Sequence, residues 1–156
     1  MKNAGITLNP KLMEFYESSA SGSGREANPA IGSSTTGLTI GETPYDKYPN
    51  DVIESYKDYR DAAIVVISRI GGEGFDLPRY QGDSEGAVSP DSHYLELDQN
   101  EIDLLTAVTD GTFKRVVVVF NTPSSFEATF LKDSAYAAFA DKIDAVSYTH
   151  LRAHET

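Results

Sequence analysis

The sequence predicts an α/β fold built on a mainly parallel sheet, and three stretches carry that prediction. Asp61–Ile67 (DAAIVVI) and Val116–Phe120 (VVVVF) are short apolar runs rich in β-branched residues, the pattern of strands buried on both faces. Between them, Leu97–Thr109 has the signature of a helix. Strand, helix and strand at this spacing make a βαβ crossover, which sets the two strands side by side and parallel. The expectation is therefore that 62–68 pairs with 115–121, with the 98–109 helix packed across them. Ile64, Val66, Val117, Val119, Ile102 and Leu105 are the expected core.

The remaining elements follow in chain order. Met1–Gly5 reads as the tail of a helix stopped by Gly5. Asn9 and Pro10 supply an N-cap and a first-turn proline, and Leu12, Met13 and Tyr16 keep helical spacing to about Glu17. Residues 18–50 are rich in serine, glycine, proline and threonine and show no periodicity. Their Ser21–Gly24 run (SGSG) follows a helix rather than a strand, so it lacks the setting of a phosphate loop. Asn50 or Asp51 can cap a short helix reaching Tyr56–Tyr59, which delivers the chain into the first strand.

Residues 80–96 are polar and lack the regular oxygen-ligand spacing of a calcium loop, so they read as a solvated insertion. In the next helix Asp98 is the N-cap, Glu101 its capping-box partner, and Leu97 with Ile102 a hydrophobic staple. Gly111 closes that unit. Thr122 and Pro123 should start a further helix to about Leu131, with Phe126 and Phe130 inward. Ser134–Asp141 is a short helical stretch, and Ile143–Ala145 is the onset of a third strand that the polar tail interrupts.

Composition sets limits on function. A chain of 156 residues is long enough for one domain with a real core. Its net charge of −11 opposes a nucleic acid or an anionic membrane surface as partner. The absence of cysteine excludes a disulfide scaffold, a thiol nucleophile and a thiolate zinc site, and fits either side of a bacterial-type membrane. No apolar run approaches the ~20 residues that span a bilayer.

The chemistry concentrates in Ser68–Arg79, SRIGGEGFDLPR. Here the first strand gives way to glycine and charge, and Gly71, Gly72 and Gly74 enclose Glu73. A carboxylate in a glycine-rich loop at the carboxyl end of a parallel strand lies where open α/β sheets bind ligands. Glycine lets such a backbone turn sharply and approach a ligand closely.

Residues 62–79, with Arg69, Gly72-Glu73-Gly74 and Asp76, resemble the acid/base segment of the α/β-sandwich domain of family 3 glycoside hydrolases, the β-glucosidase family. YLELDQNEIDLL (94–105) is similar to that family's following helix, and VVVVFNTPSSFE (116–127) to its next strand and turn. The resemblance runs from about Lys2 to Ala145 and is weak between Ser18 and Asn50. It implies a partial three-layer α/β sandwich, incomplete at both ends, from a retaining β-glycosidase acting on β-linked oligosaccharides or glycosides without a cofactor or metal. Glu73 would be the general acid/base. Arg69 would orient the loop or hydrogen-bond the sugar or the carboxylate, and Asp76 would bind hydroxyls or pair with Arg69 or Arg79. The nucleophilic aspartate would come from a (β/α)8 barrel domain of the same parent protein, so this chain alone is expected to be inactive. Residues 146–156 (VSYTHLRAHET) resemble, codon for codon, translated read-through of a sequencing adapter. They are set aside as a non-native tail, His150 and His154 with them.

Two other readings compete. One is a non-catalytic α/β domain for carbohydrate binding or interdomain packing. The other is a nucleotide-binding domain, but the turns after both strands lack a G-x-G-x-x-G fingerprint.

Overall fold

A computed structural model describes residues 5–18, 40–69, 77–122 and 124–149. Its centre is a three-stranded sheet in the order β1 (Ala63–Ser68), β2 (Val116–Asn121), β3 (Ala145–Thr149). Both pairings are parallel, with Ala63 opposite Val116 and Val117 opposite Ala145. The chain is thus an α/β domain on a parallel sheet, as the strand–helix–strand pattern predicts.

The helix of the crossover runs Gln99–Val108 and is labelled α3, after α1 (Pro10–Glu17) and α2 (Asn50–Ser55). Its start is fixed by side chains. Asp98 accepts from the Glu101 backbone N–H at 2.8 Å, and Glu101 accepts from the Asp98 N–H at 3.0 Å. This reciprocal box satisfies two donors that a helix start otherwise leaves orphaned. Leu104, Leu105 and Val108 face the sheet and meet Val65, Ile67, Val118 and Phe120 in one core. Leu105 and Val118 are fully buried. Each such side chain contributes about 1.5–3 kcal/mol on leaving water.

Only one sheet face is covered among the described residues, which corrects the expected burial. Ala63, Val65 and Ile67 point into the core, while Ile64 and Val66 are about half exposed, at 50 % and 49 %. Val117, Val119 and Ile102 are half-buried; of the six expected core residues Leu105 alone is fully inside. A continuous apolar run is compatible with two-sided burial, but strand side chains alternate and one face can stay open. Here α3 and the Phe120–Phe130–Phe139 cluster pack on one side only.

Three further elements differ from expectation. α2 begins at Asn50 itself, with Pro49 in the cap position and no side-chain cap. Ser124–Ala128 is not helical, and the turn there is a short 3-10 segment at Thr129–Leu131, with Phe130 buried and Phe126 half-buried against the core. The third strand does form, and it uses Val146–Thr149 from the tail. Parallel pairing asks only for backbone groups beside β2, and Val146 and Tyr148 favour extended backbone. The register is held at its start by Asp144, which accepts from the Val116 N–H at 2.8 Å and from Arg115 at 2.9 Å. Even so, its residues 145–148 are all exposed.

The other elements match their sequence signals. Asn9 caps α1 by accepting from the Lys11 and Leu12 N–H groups. Residues 134–140 form a 3-10 turn and α4 (Ala137–Ala140). Gly111, after α3, has the positive φ of a helix-stopping glycine; Gly5 has one too, but the helix tail expected before it, residues 1–4, lies outside the described residues. No helix among the described residues is long and apolar enough to cross a membrane.

Candidate functional site

The carboxyl end of β1 delivers Arg69, which is almost wholly buried. A guanidinium removed from water needs a partner for each of its five N–H groups, and this one has them. Nε donates to the Tyr94 carbonyl at 2.7 Å. Nη1 donates to the Ser68 carbonyl and to Glu101 Oε1 at 2.8 and 2.7 Å. Nη2 donates to Glu101 Oε2 at 2.9 Å and to the Glu96 carbonyl. The Phe126 and Tyr94 rings lie 4.8 and 5.6 Å from the guanidinium carbon, within cation–π range.

Glu101 therefore has two tasks. Its carboxylate closes the capping box of α3 and takes the arginine fork, and its side chain is itself only 3 % exposed. Beside it, burial pushes the Asp98 carboxyl up to about 7, and the neighbouring Glu101 charge adds to the rise.

A third acid lies nearby. Glu42 Oε1 accepts from the hydroxyls of Tyr16 and Tyr48 at 3.1 and 3.0 Å and from the Thr43 N–H at 2.9 Å. The two hydroxyl oxygens also lie against each other. Burial raises the Glu42 carboxyl above the usual range and raises both tyrosines as well. The Glu42 carbonyl accepts from Asn100 Nδ2 at 3.0 Å, tying this cluster to the first turn of α3.

Of the three expected site residues, the structure thus places Arg69. Glu73 and Asp76 lie outside the described residues. Arg69 has every donor taken by protein acceptors, which ties the end of β1 to the 94–96 connection and to α3. Arg79, the other partner considered for Asp76, is exposed, with its guanidinium 5.2 Å from the Tyr80 ring. Two clefts lie elsewhere. One of about 290 Å³ is lined by Tyr45, Tyr56 and Asp110 before the starts of β1 and β2, and the other, of about 510 Å³, lies against α1.

Two features went unread in the sequence. The local pattern marks Glu101 as a capping residue but not as the counter-ion of Arg69. An arginine ending an apolar strand demands a buried acid, and that demand was the available signal. The Glu42–Tyr16–Tyr48 cluster joins α1 to a stretch that lacks periodicity, and no local pattern announces it.

Comparison with known proteins adds no relative. No family model matches the chain, and neither curated proteins nor solved structures give a match.

Proposed function

We propose that this chain is the acid/base-bearing domain of a retaining β-glycosidase, with Glu73 as the general acid/base. The observation that carries the reading is the Arg69–Gly72-Glu73-Gly74–Asp76 pattern, which begins at the carboxyl end of a strand in a parallel sheet. In retaining enzymes two carboxyl groups sit roughly 5–5.5 Å apart across the scissile bond. One attacks the sugar. The other protonates the departing oxygen and then, ionised, activates water. The second task requires a carboxyl whose pKa is raised toward neutrality. The nucleophile would come from a barrel domain of the parent protein.

The test is Glu73→Ala in the whole protein that contains this chain. Hydrolysis of unactivated disaccharides should fall ~10²–10⁴-fold, while activated aryl glycosides lose far less. Azide should restore turnover of the activated substrates, because it attacks the glycosyl-enzyme without a base. Asp76→Asn should show no such rescue. The 156-residue chain alone should not hydrolyse aryl β-glucosides.

A second reading is a non-catalytic domain that packs against another. It is favoured by the exposed apolar face at Ile64 and Val66. Near-normal rates of Glu73→Ala on disaccharides would leave that reading standing.

A further inference from the structure

We propose that the cleft of about 290 Å³ between α2 and the turn after α3 binds a neutral hydroxylated ring, a single sugar unit. It lies at the amino ends of β1 and β2, the end of the sheet opposite Arg69, and does not depend on the glycosidase reading.

Two pieces of chain form the walls, and they are tied together. Tyr45, Ile53, Glu54, Tyr56 and Lys57 come from the stretch around α2, and Asp110 comes from the turn after α3. Arg60 Nε donates to the Thr112 carbonyl at 2.9 Å, and the Lys114 N–H donates to the Arg60 carbonyl at 2.8 Å. The rings are held as well. Tyr56 packs on Phe113 with centroids 5.3 Å apart, and Tyr45 packs on Tyr48 at 5.0 Å. The cleft therefore exists before a ligand arrives, as small-molecule sites usually do.

Its unused polar groups point to a ligand. Tyr56 is only 7 % exposed, yet its hydroxyl has no hydrogen-bond partner among the described residues. A tyrosine buried to this extent usually bonds its hydroxyl, and this one lines the cleft, where a ligand can supply the partner. The Tyr45 hydroxyl is likewise unpartnered among the described residues, and burial together with the Asp110 charge raises it. Asp110 spends one oxygen on the Thr112 N–H at 2.7 Å and leaves the other open. Glu54 and Lys57 form no ion pair among the described residues.

This mixture selects the chemistry. An anion would meet Glu54 and Asp110, and a cation would meet Lys57. A ring hydroxyl donates and accepts at once, so it can use the carboxylates, the ammonium and both phenols. The tyrosine faces and Ile53 offer apolar surface to the C–H side of the ring. The volume is at the small end for ligand sites and suits one ring. A ligand of that size in an open cleft binds with a Kd on the order of millimolar.

The test is an amide NMR titration of the 156-residue chain with methyl β-glucoside. The Tyr45, Lys57, Asp110 and Thr112 amides should shift together, with a Kd of about 1–10 mM. Tyr56→Phe and Asp110→Asn should each raise that Kd about three-fold to ten-fold and leave the rest of the spectrum unchanged. Absence of shifts at these amides with about 50 mM ligand overturns the proposal. Equal binding of cyclohexanol also overturns it, since the cleft is then merely apolar. Tighter binding of tetramethylammonium overturns it in favour of a cation site. An unchanged Kd in either folded variant does the same, because the phenol or carboxylate then has no part in recognition. Should Tyr56→Phe disturb the fold, Asp110→Asn, at an exposed position, decides alone.

Discussion

Arg69 and Glu101 meet through two parallel hydrogen bonds of 2.7 and 2.9 Å, with the arginine side chain fully buried. Buried pairs are not strong merely because they exist, since desolvation offsets much of the attraction. Their weight shows when one member is removed. Glu101→Ala would strand a buried guanidinium and also release the Asp98 N–H. The expected cost is about 3–5 kcal/mol, measured by urea unfolding. A loss below about 1 kcal/mol, as for a surface pair, would contradict the burial described here.

Asp98 makes stability depend on pH in a defined direction. Its carboxyl is raised from 3.8 to about 7 in the folded protein, by burial first and then by the Glu101 charge. Between those values the folded chain holds a proton that the unfolded chain has released. The contribution is therefore complete below about pH 4 and is lost as pH rises through about 7. Glu42, raised by burial, acts in the same sense. One proton gives a slope of at most about 1.4 kcal/mol per pH unit. Asp98→Asn keeps a capping oxygen and should flatten the decline between pH 4 and 7 in a series of urea melts. An unchanged slope would assign the effect elsewhere.

The two sheet faces should respond differently to truncation. Leu105→Ala, at a fully buried position, should cost about 2–5 kcal/mol through lost burial and a cavity. Ile64→Thr, on the open face, should change stability by less than about 1 kcal/mol and reduce aggregation, because among the described residues β1 is an edge strand and Ile64 is half exposed. Equal costs at the two positions would mean that the open face is covered in solution.

The contrast between Leu105 and Ile64 also shows what the sequence could convey. Where a residue's role is local, it was legible: Asn9 before Pro10 started α1, and Asp98 with Glu101 started α3. The parallel pairing of β1 and β2 followed from the helix between them. Which face of an all-apolar strand is covered depends on other elements, so Ile64 and Val65 looked alike. The same holds at the site. Arg69 was read from its place beside the glycine loop, but its partner is set by the packing of α3. Thr122 and Pro123 look like a helix start, yet the Thr122 hydroxyl bonds the Ser124 carbonyl and no helix follows before the 3-10 turn at Thr129. Such side-chain bonds compete with helical ones.

The polar stretch before α3 offers the sharpest steric test. Gly86 has φ +93° and its carbonyl accepts the Gln99 N–H at 2.8 Å, so this loop is clamped to the first turn of α3. A Cβ at Gly86 would meet the amide of Asn100, lying 2.9 Å from Cγ and closer still to Nδ2. That amide is buried and donates to the Glu42 carbonyl, so it has little room to yield. Gly82 also has positive φ, at +64°, but a Cβ there meets nothing within 4 Å. Gly82→Ala should therefore cost only the left-handed backbone penalty of about 1–2 kcal/mol. Gly86→Ala should cost clearly more and weaken the link between α3 and the Glu42 cluster. Asn100→Ala in the Gly86→Ala background should recover part of the loss, because it removes the obstructing amide. Urea melts of the four variants, with Asn100→Ala alone as reference, close the cycle. If Gly86→Ala and Gly82→Ala cost the same and Asn100→Ala gives no recovery, the loop does not pack on α3 as described.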